Sequence, residues 1–374
     1  MGMRLPIRFG TMFVLLVLMT NASAQERLPS LPPVPPPEPV PTAQLPQVYS
    51  PTVGADSMVG VRDLTPPTMP GRGASCAICE QPEEHSSAGV YTSAEYLLMR
   101  ARRPDLRFAL VDPTNDLTPN GATQVLSPET RSGFRVGFGY KLESGWSVGV
   151  GYTYYRTTDT SAITAAPGGT LYPLLTRPGL IDNVNTIAAD SLLDYHVFDL
   201  EFGKWVKLDE HLAVRGYTGV QFASIGQDLN GQYNGGDARN ASTQMKMDFD
   251  GAGPMVGGES HWVFGNGLSF FGRGRASLLY GNQKTSLNEV NDGGATLNAS
   301  FTDKFSQLVP MANLGLGVAW QYRMIRASVG YEVTNWFGLV QSPSLGDDFA
   351  EGKVQYRQGD LALEGFFLQL GLTY

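Results

Sequence analysis

Phe366, Leu368, Leu370, Leu372 and Tyr374 alternate with Phe367, Gln369, Gly371 and Thr373 over the last nine residues. A strand has a side-chain period of two, so this segment turns grease to one side and a mixed, mostly small surface to the other. The pattern repeats upstream. Phe134, Val136, Phe138 and Tyr140 share a face opposite Gly133, Arg135, Gly137 and Gly139, and after Glu143-Ser144-Gly145 the face resumes in Trp146, Val148, Val150, Tyr152 and Tyr154. Each such pair predicts a hairpin with a greasy side and a Gly-rich side.

Three further hairpins follow. Tyr195–Val206 turns at Asp209-Glu210 into Leu212–Phe222; Met247–Val263 turns at Gly265-Asn266-Gly267 into Leu268–Tyr280; Leu308–Trp320 turns at Tyr322-Arg323-Met324 into Ile325–Trp336. Adding Val90–Arg100 and the C-terminal strand gives ten, an even number, as bacterial membrane barrels require. An extra hairpin near Leu171–Asp182 or Leu287–Thr302 would make twelve. The hairpin turns are tight, whereas the links after Arg100, Tyr155, Phe222, Tyr280 and Trp336 are long and rich in Asn, Asp, Gly, Thr and Pro. That asymmetry predicts short periplasmic turns and long extracellular loops. The fold class expected is all-β: a transmembrane antiparallel β-barrel over residues 89–374.

Aromatic positions agree with this layout. Trp146, Trp205, Trp262 and Trp320 lie close to tight turns, with Tyr140, Tyr322 and Tyr374 at the same level, which predicts a girdle at the periplasmic membrane interface. Trp336 is expected at the opposite rim. Two residues break the parity: Trp205 falls on the inward side and Glu364 on the outward side of their strands.

The N-terminal portion reads differently. Arg4 and Arg8 precede an apolar run from Thr11 to Met19, and Ala22-Ser23-Ala24 supplies small residues for cleavage, so residues 1–24 are expected to be a secretory signal peptide. Residues 25–88 form a proline-rich segment expected to be disordered in the periplasm, where it could meet peptidoglycan or an envelope protein. It ends in Cys76-Ala77-Ile78-Cys79. A CxxC can be redox-active or half of a zinc site, but no second Cys pair exists and His85 alone cannot complete four ligands. A local disulfide between Cys76 and Cys79, or two free thiols, is the plainer reading.

Several stretches carry a family likeness. SAEYLLMRARRPDLRFALVD, LDYHVFDLEFGKW with LAVRGYTGVQFASIGQDL, and FDGAGPMVGGESHWVFGNGLSFFGRGRASLLYG resemble the pore-forming outer-membrane proteins typified by the Legionella major outer membrane protein, a family with many planctomycete members. The likeness runs from about Ser93 to the C-terminus. It implies an outer-membrane barrel that conducts solutes and carries over no catalytic residues.

Strand parity sorts the charges. Glu95, Arg135, Asp199, Glu201, Arg215, Glu259, Arg273, Arg275, Arg326 and Glu332 fall inward, whereas outward positions between the girdles are almost wholly apolar. An Arg or Lys on the lipid face costs about 2–4 kcal/mol at midplane, so the segregation is what a barrel requires. One reading is a hydrophilic pore for small solutes or ions, with Arg215, Arg273 and Arg275 setting selectivity against the acids. The competing reading is an interior filled by paired charges, giving a non-conducting structural or surface-binding barrel. Ten strands lie between eight, which leave room only for side chains, and the 16–18 of open channels.

No enzyme is expected. His211 and His261 fall at tight turns, and His196 lies beside Asp194 with no Ser or second His placed by local spacing. The acidic run Asp347–Glu351 reads as a solvated loop tip. Neither cofactor nor metal is implied. The net charge of −8 argues against nucleic acid. The expected partners are outer-membrane lipid and, through the C-terminal strand, the barrel-assembly machinery. The expected location is the cell outer membrane, with the N-terminal segment in the periplasm.

Overall fold

The computed structural model describes residues 88–116, 118–346 and 352–374. The signal peptide, the proline-rich segment, Cys76, Cys79 and the Asp347–Glu351 run lie outside the described residues. The described strands, in chain order, are β1 (Gly89–Arg102), β2 (Arg107–Asp112), β3 (Ala122–Val125), β4 (Arg131–Lys141), β5 (Trp146–Thr164), β6 (Thr170–Pro173), β7 (Thr186–Lys207), β8 (Leu212–Gly235), β9 (Ala238–Gly265), β10 (Leu268–Asn291), β11 (Thr296–Tyr322), β12 (Ile325–Leu345) and β13 (Val354–Thr373).

Ten of them close a barrel in the order β1-β13-β12-β11-β10-β9-β8-β7-β5-β4, and β3-β2-β6 form a separate three-stranded sheet. Every barrel contact is antiparallel and joins strands consecutive among these ten, and the seam closes the ring, also antiparallel, by pairing Tyr91 to Arg102 with Thr373 to Ala362. Closure leaves no unpaired edge, which a sheet in hydrocarbon cannot tolerate. The periplasmic turns are as tight as the sequence predicts. Asn266 and Gly267 both have left-handed φ, 52° and 76°, the pairing a two-residue hairpin with strand-matched twist needs.

The extracellular side departs from expectation. The long links after Phe222, Tyr280 and Trp336 are not loops: β8 runs on to Gly235, β10 to Asn291 and β12 to Leu345. Neither suspected extra hairpin joins the barrel, because Leu171–Asp182 contributes only β6 and Leu287–Thr302 continues β10 and β11 across a short turn. The strands persist because the period of two persists, with its polarity inverted. In β8, Val220 and Phe222 face out and Gln221 is buried inside; beyond them Ser224, Asp228 and Asn230 face outward, whereas Ile225 and Leu229 are buried inside. The same exchange occurs in β7, β9, β10 and β11. Phe198, Leu278, Tyr280 and Leu308 face out below the change, and Val197, Phe249 and Leu287 are buried inside above it.

One barrel is therefore built on two solvents. Its lower part shows lipid an apolar outer face, with Leu314, Leu316, Phe366 and Leu370 all largely exposed. Apolar patches of that extent on a closed sheet mark a membrane surface. Its upper part has a polar exterior and a mainly apolar interior, as in a water-soluble barrel, with Gln227, Gln283 and Glu289 buried among the apolar side chains. The β3-β2-β6 sheet packs over the upper end, where Leu106, Phe108, Leu126, Leu171, Ile181 and Val184 join Leu229, Tyr233 and Leu287 in one apolar cluster.

Candidate functional site

The ten charged residues that parity places inside the barrel comprise five acids and five arginines, and the structure pairs all of them. Lowest, near the periplasmic turns, Arg326 donates to Glu259 at 3.2 Å and His261 Nε2 lies 2.5 Å from the same carboxylate. The His261 ring stacks on Phe271 and meets Trp205 at 5.3 Å between centroids. Trp205 is thus turned into the lumen mouth, as its parity requires, and is not on the outer girdle. Beside this group, Arg215 donates to Glu201 at 2.7 Å and lies over Tyr217.

The next level is a closed ring of four charges. Arg135 on β4 donates to Glu95 at 2.5 Å and to Glu332 at 2.8 Å; Arg273 on β10 donates to the same two carboxylates, at 2.9 and 2.5 Å. β4 and β1 are neighbours, but β10 and β12 come from further round the wall, so the ring reaches across the lumen. Glu332 is fully buried. Gln369 adds a bond to Glu95 at 2.9 Å, and the Arg273 guanidinium lies 4.2 Å from the Phe367 ring centre. Asp199, paired with Arg275, also accepts from Gln221 at 2.8 Å.

Above the charges the lumen is filled with apolar side chains. Trp336 has no exposed surface and meets Tyr195 edge-on at 6.0 Å. It is therefore an interior residue and not the rim residue expected, since it shares the inward parity of Glu332 and Thr334. Phe249, Leu279, Val309, Leu339, Val340 and Leu361 complete this layer, each with no exposed surface. Small wall residues make room for the rings. A Cβ at Gly330 would meet Phe367 Cζ at 2.6 Å and the Leu316 carbonyl oxygen at 2.4 Å, so the glycine lets the ring lie against the wall.

Tyr140, Trp146, Trp262, Trp320, Tyr322 and Tyr374 are all exposed on the outer face near the periplasmic end. Trp146 stacks on Phe202 at 4.6 Å, and Trp320 on Tyr322 at 5.8 Å. Glu364 bonds Arg102 on the neighbouring strand β1, which accounts for its outward parity.

The outer face holds a group that local spacing could not find. His196 on β7 sits opposite Ser224 on β8, beside Asp194. Asp194 lies 3.2 Å from His196 Nε2, and Tyr152 Oη lies 2.8 Å from Nδ1. Tyr152 occupies Nδ1, Asp194 faces Nε2 without a hydrogen bond at its Oδ1, and Ser224 bonds neither nitrogen, so no Ser–His relay is assembled. Among the described residues no group of three or more His, Cys, Asp or Glu is placed to hold a metal ion.

Over residues 81–374 the sequence matches the family described as Legionella pneumophila major outer membrane protein precursor. Similar solved structures include the outer membrane protease OmpT of Escherichia coli, with 11% identity, TM-score 0.43, and 76% of this chain and 97% of that one covered. The attachment invasion locus protein Ail of Yersinia pestis has 10% identity and a TM-score of 0.25, covering 77% and 99%. The toluene transporter TodX of Pseudomonas putida has 9% identity and a TM-score of 0.23, covering 80% and 93%. No curated protein sequence matches the chain.

Proposed function

As a member of the Legionella major outer membrane protein family, this chain is an outer-membrane β-barrel, and we propose that its resting state is a sealed barrel that supports the extracellular extension rather than a constantly open porin. The observation that carries this reading is the filled cross-section: a fully buried acid in a four-charge ring, then a layer of apolar side chains led by Trp336, all without exposed surface. Packing of that kind leaves no continuous water path, and a hydrophobic constriction blocks ions even where it is slightly wider than they are. In the charged zone the five arginines meet five carboxylates, leaving no excess of either sign there to select permeating ions.

The passive pore for small hydrophilic solutes is the second reading, and one observation favours it. Gln227 lies fully buried in the upper lumen with both amide atoms lacking a hydrogen-bond partner. A hydrated state would satisfy them, so a minor open state has something to gain. Neither reading involves catalysis. The seam strand β13, whose alternation is unbroken from Phe366 onward, fits a role as the signal read by the assembly machinery.

Liposome swelling separates the two readings. Refolded, heat-modifiable protein should permit no more entry of a small sugar than protein-free liposomes. Swelling that falls with increasing sugar size would overturn the sealed resting state and leave the barrel intact.

A further inference from the structure

We propose that the outer wall carries a binding site for the phosphorylated saccharide headgroup of an outer-leaflet glycolipid, centred on Lys284 and Lys304. The inference concerns the lipid-facing side and is independent of whether the lumen conducts.

Register places the site. Phe198, Phe222, Ala252, Tyr280 and Leu308 are successive cross-strand partners from β7 to β11, and form the last apolar row on the outside. One step up the strands, the next outward row is His196, Ser224, Asp250, Asn282 and Ser306, again direct partners. The row above that is Asp194, Gly226, Asp248, Lys284 and Lys304. Two residues along a strand span about 7 Å, so the outer surface passes from hydrocarbon-compatible to fully polar within one such step. A change of this kind on each strand is what the edge of a hydrocarbon layer requires of an outer wall, followed obliquely because barrel strands tilt.

The two polar rows are also concave. Asp194, His196, Ser224, Asp248, Lys284 and Lys304 bound a half-open depression of about 730 Å³, which Ile225, Gln283 and Phe305 of the inward parity also line. That volume suits a sugar-sized group rather than a single ion.

Charge decides the ligand class. Lys284 and Lys304 are directly opposite each other on β10 and β11, and both are exposed. Like charges directly opposite on neighbouring strands destabilise a sheet. Asp248 faces Lys284 from the other side, yet neither lysine forms an ion pair among the described residues. Asp194 lies 3.2 Å from His196 Nε2, but its Oδ1 has no hydrogen-bond partner and is free to accept from a sugar hydroxyl. A phosphate bridging the two ammonium groups removes the repulsion, and juxtamembrane lysines are attracted to anionic headgroups in this way. Ser224, Asn282 and Ser306, with the carboxylates of Asp248 and Asp250, supply donors and acceptors for sugar hydroxyls. A bare anion would meet those carboxylates with no compensating hydroxyl, which favours the saccharide-borne phosphate over free phosphate.

The test uses the full refolded chain in detergent and a bisphosphorylated diglucosamine lipid in mixed micelles. Its dephosphorylated counterpart and inorganic phosphate are the comparison probes. The Lys284→Gln/Lys304→Gln double variant should bind the phosphorylated lipid at least about tenfold more weakly, and wild type should discriminate against the dephosphorylated lipid by a similar factor. A Lys141→Gln/Lys207→Gln control, at the periplasmic end, should match wild type. Retained heat-modifiability shows that each variant is folded. Equal binding by the Lys284/Lys304 variant, or equal binding of the dephosphorylated lipid, would overturn the proposal. So would displacement of the lipid by excess inorganic phosphate, which would mark a free-anion site.

Discussion

Replacing Glu332 with Gln puts the four-charge ring to its hardest test. The carboxylate accepts from Arg135 at 2.8 and 3.2 Å and from Arg273 at 2.5 Å, and no part of the residue is exposed. The substitution keeps the shape and removes the charge, so two arginines are left sharing Glu95. Removing one partner from a buried ion group costs about 3–5 kcal/mol, because a charge stays behind without compensation. If the lumen were an open aqueous path, water would screen the spare charge and the loss would fall to the 0–1 kcal/mol typical of exposed pairs, on the order of a few tenths. The second substitution gives a prediction of sign. Arg273→Gln added to Glu332→Gln restores neutrality and leaves Arg135 on Glu95 at 2.5 Å. The double variant should therefore be more stable than Glu332→Gln alone, by about 1–3 kcal/mol. The gain is partial because Arg273 also covers the Phe367 ring at 4.2 Å, a contact worth about 0.5–2 kcal/mol. Urea unfolding in phospholipid vesicles, followed by tryptophan fluorescence and by the heat-dependent gel shift, measures each step. A single-variant loss under about 1 kcal/mol, or a double variant less stable than the single, would refute the sealed ring.

Two other outcomes follow from the extracellular part. Gln227→Met removes an amide whose two polar atoms have no partner in a fully buried site; the variant should gain about 1–3 kcal/mol in the same unfolding assay, and a loss of stability would show that the amide is satisfied by water. Asp112, in the β3-β2-β6 sheet, accepts from the backbone N–H of Thr114 at 2.9 Å and of Asn120 at 3.0 Å, and these bonds hold its carboxyl below the usual carboxylate range. A depressed carboxylate contributes stability that is present above its unfolded pKa of about 3.9 and lost as pH falls through the lower folded value. Hydrogen exchange over Arg107–Asp112 should therefore quicken only on acidification below that value. Asp112→Asn should abolish the acid dependence, and an unchanged acid profile in the variant would remove Asp112 from the account.

Strand parity made most of the membrane part legible. It separated the ten lumen charges from the lipid face, gave ten strands, and located the seam between Val90–Arg100 and the last strand. Parity also contains the position of Trp336, because Glu332, Thr334 and Trp336 alternate on one side, and here it outweighs the preference of tryptophan for membrane interfaces. The upper strands were hidden for a different reason. Ser224, Asp228 and Asn230 resemble loop composition when a barrel is expected to show grease outward, although Ile225 and Leu229 keep the period of two with the faces exchanged. What no single sequence displays is register. The meeting of Arg273 with Glu95, 178 positions apart, and of Ser224 with His196 or Lys304 with Lys284, depends on which residues lie opposite each other across strands.

The sealed lumen is tested most directly by planar bilayer recording on refolded, heat-modifiable wild-type barrel at neutral pH and modest voltage. The filled cross-section predicts a silent baseline, without stepwise current, after insertion has been verified by protease protection. Uniform, long-lived conductance steps from that same preparation would contradict it and return the barrel to the class of open pores.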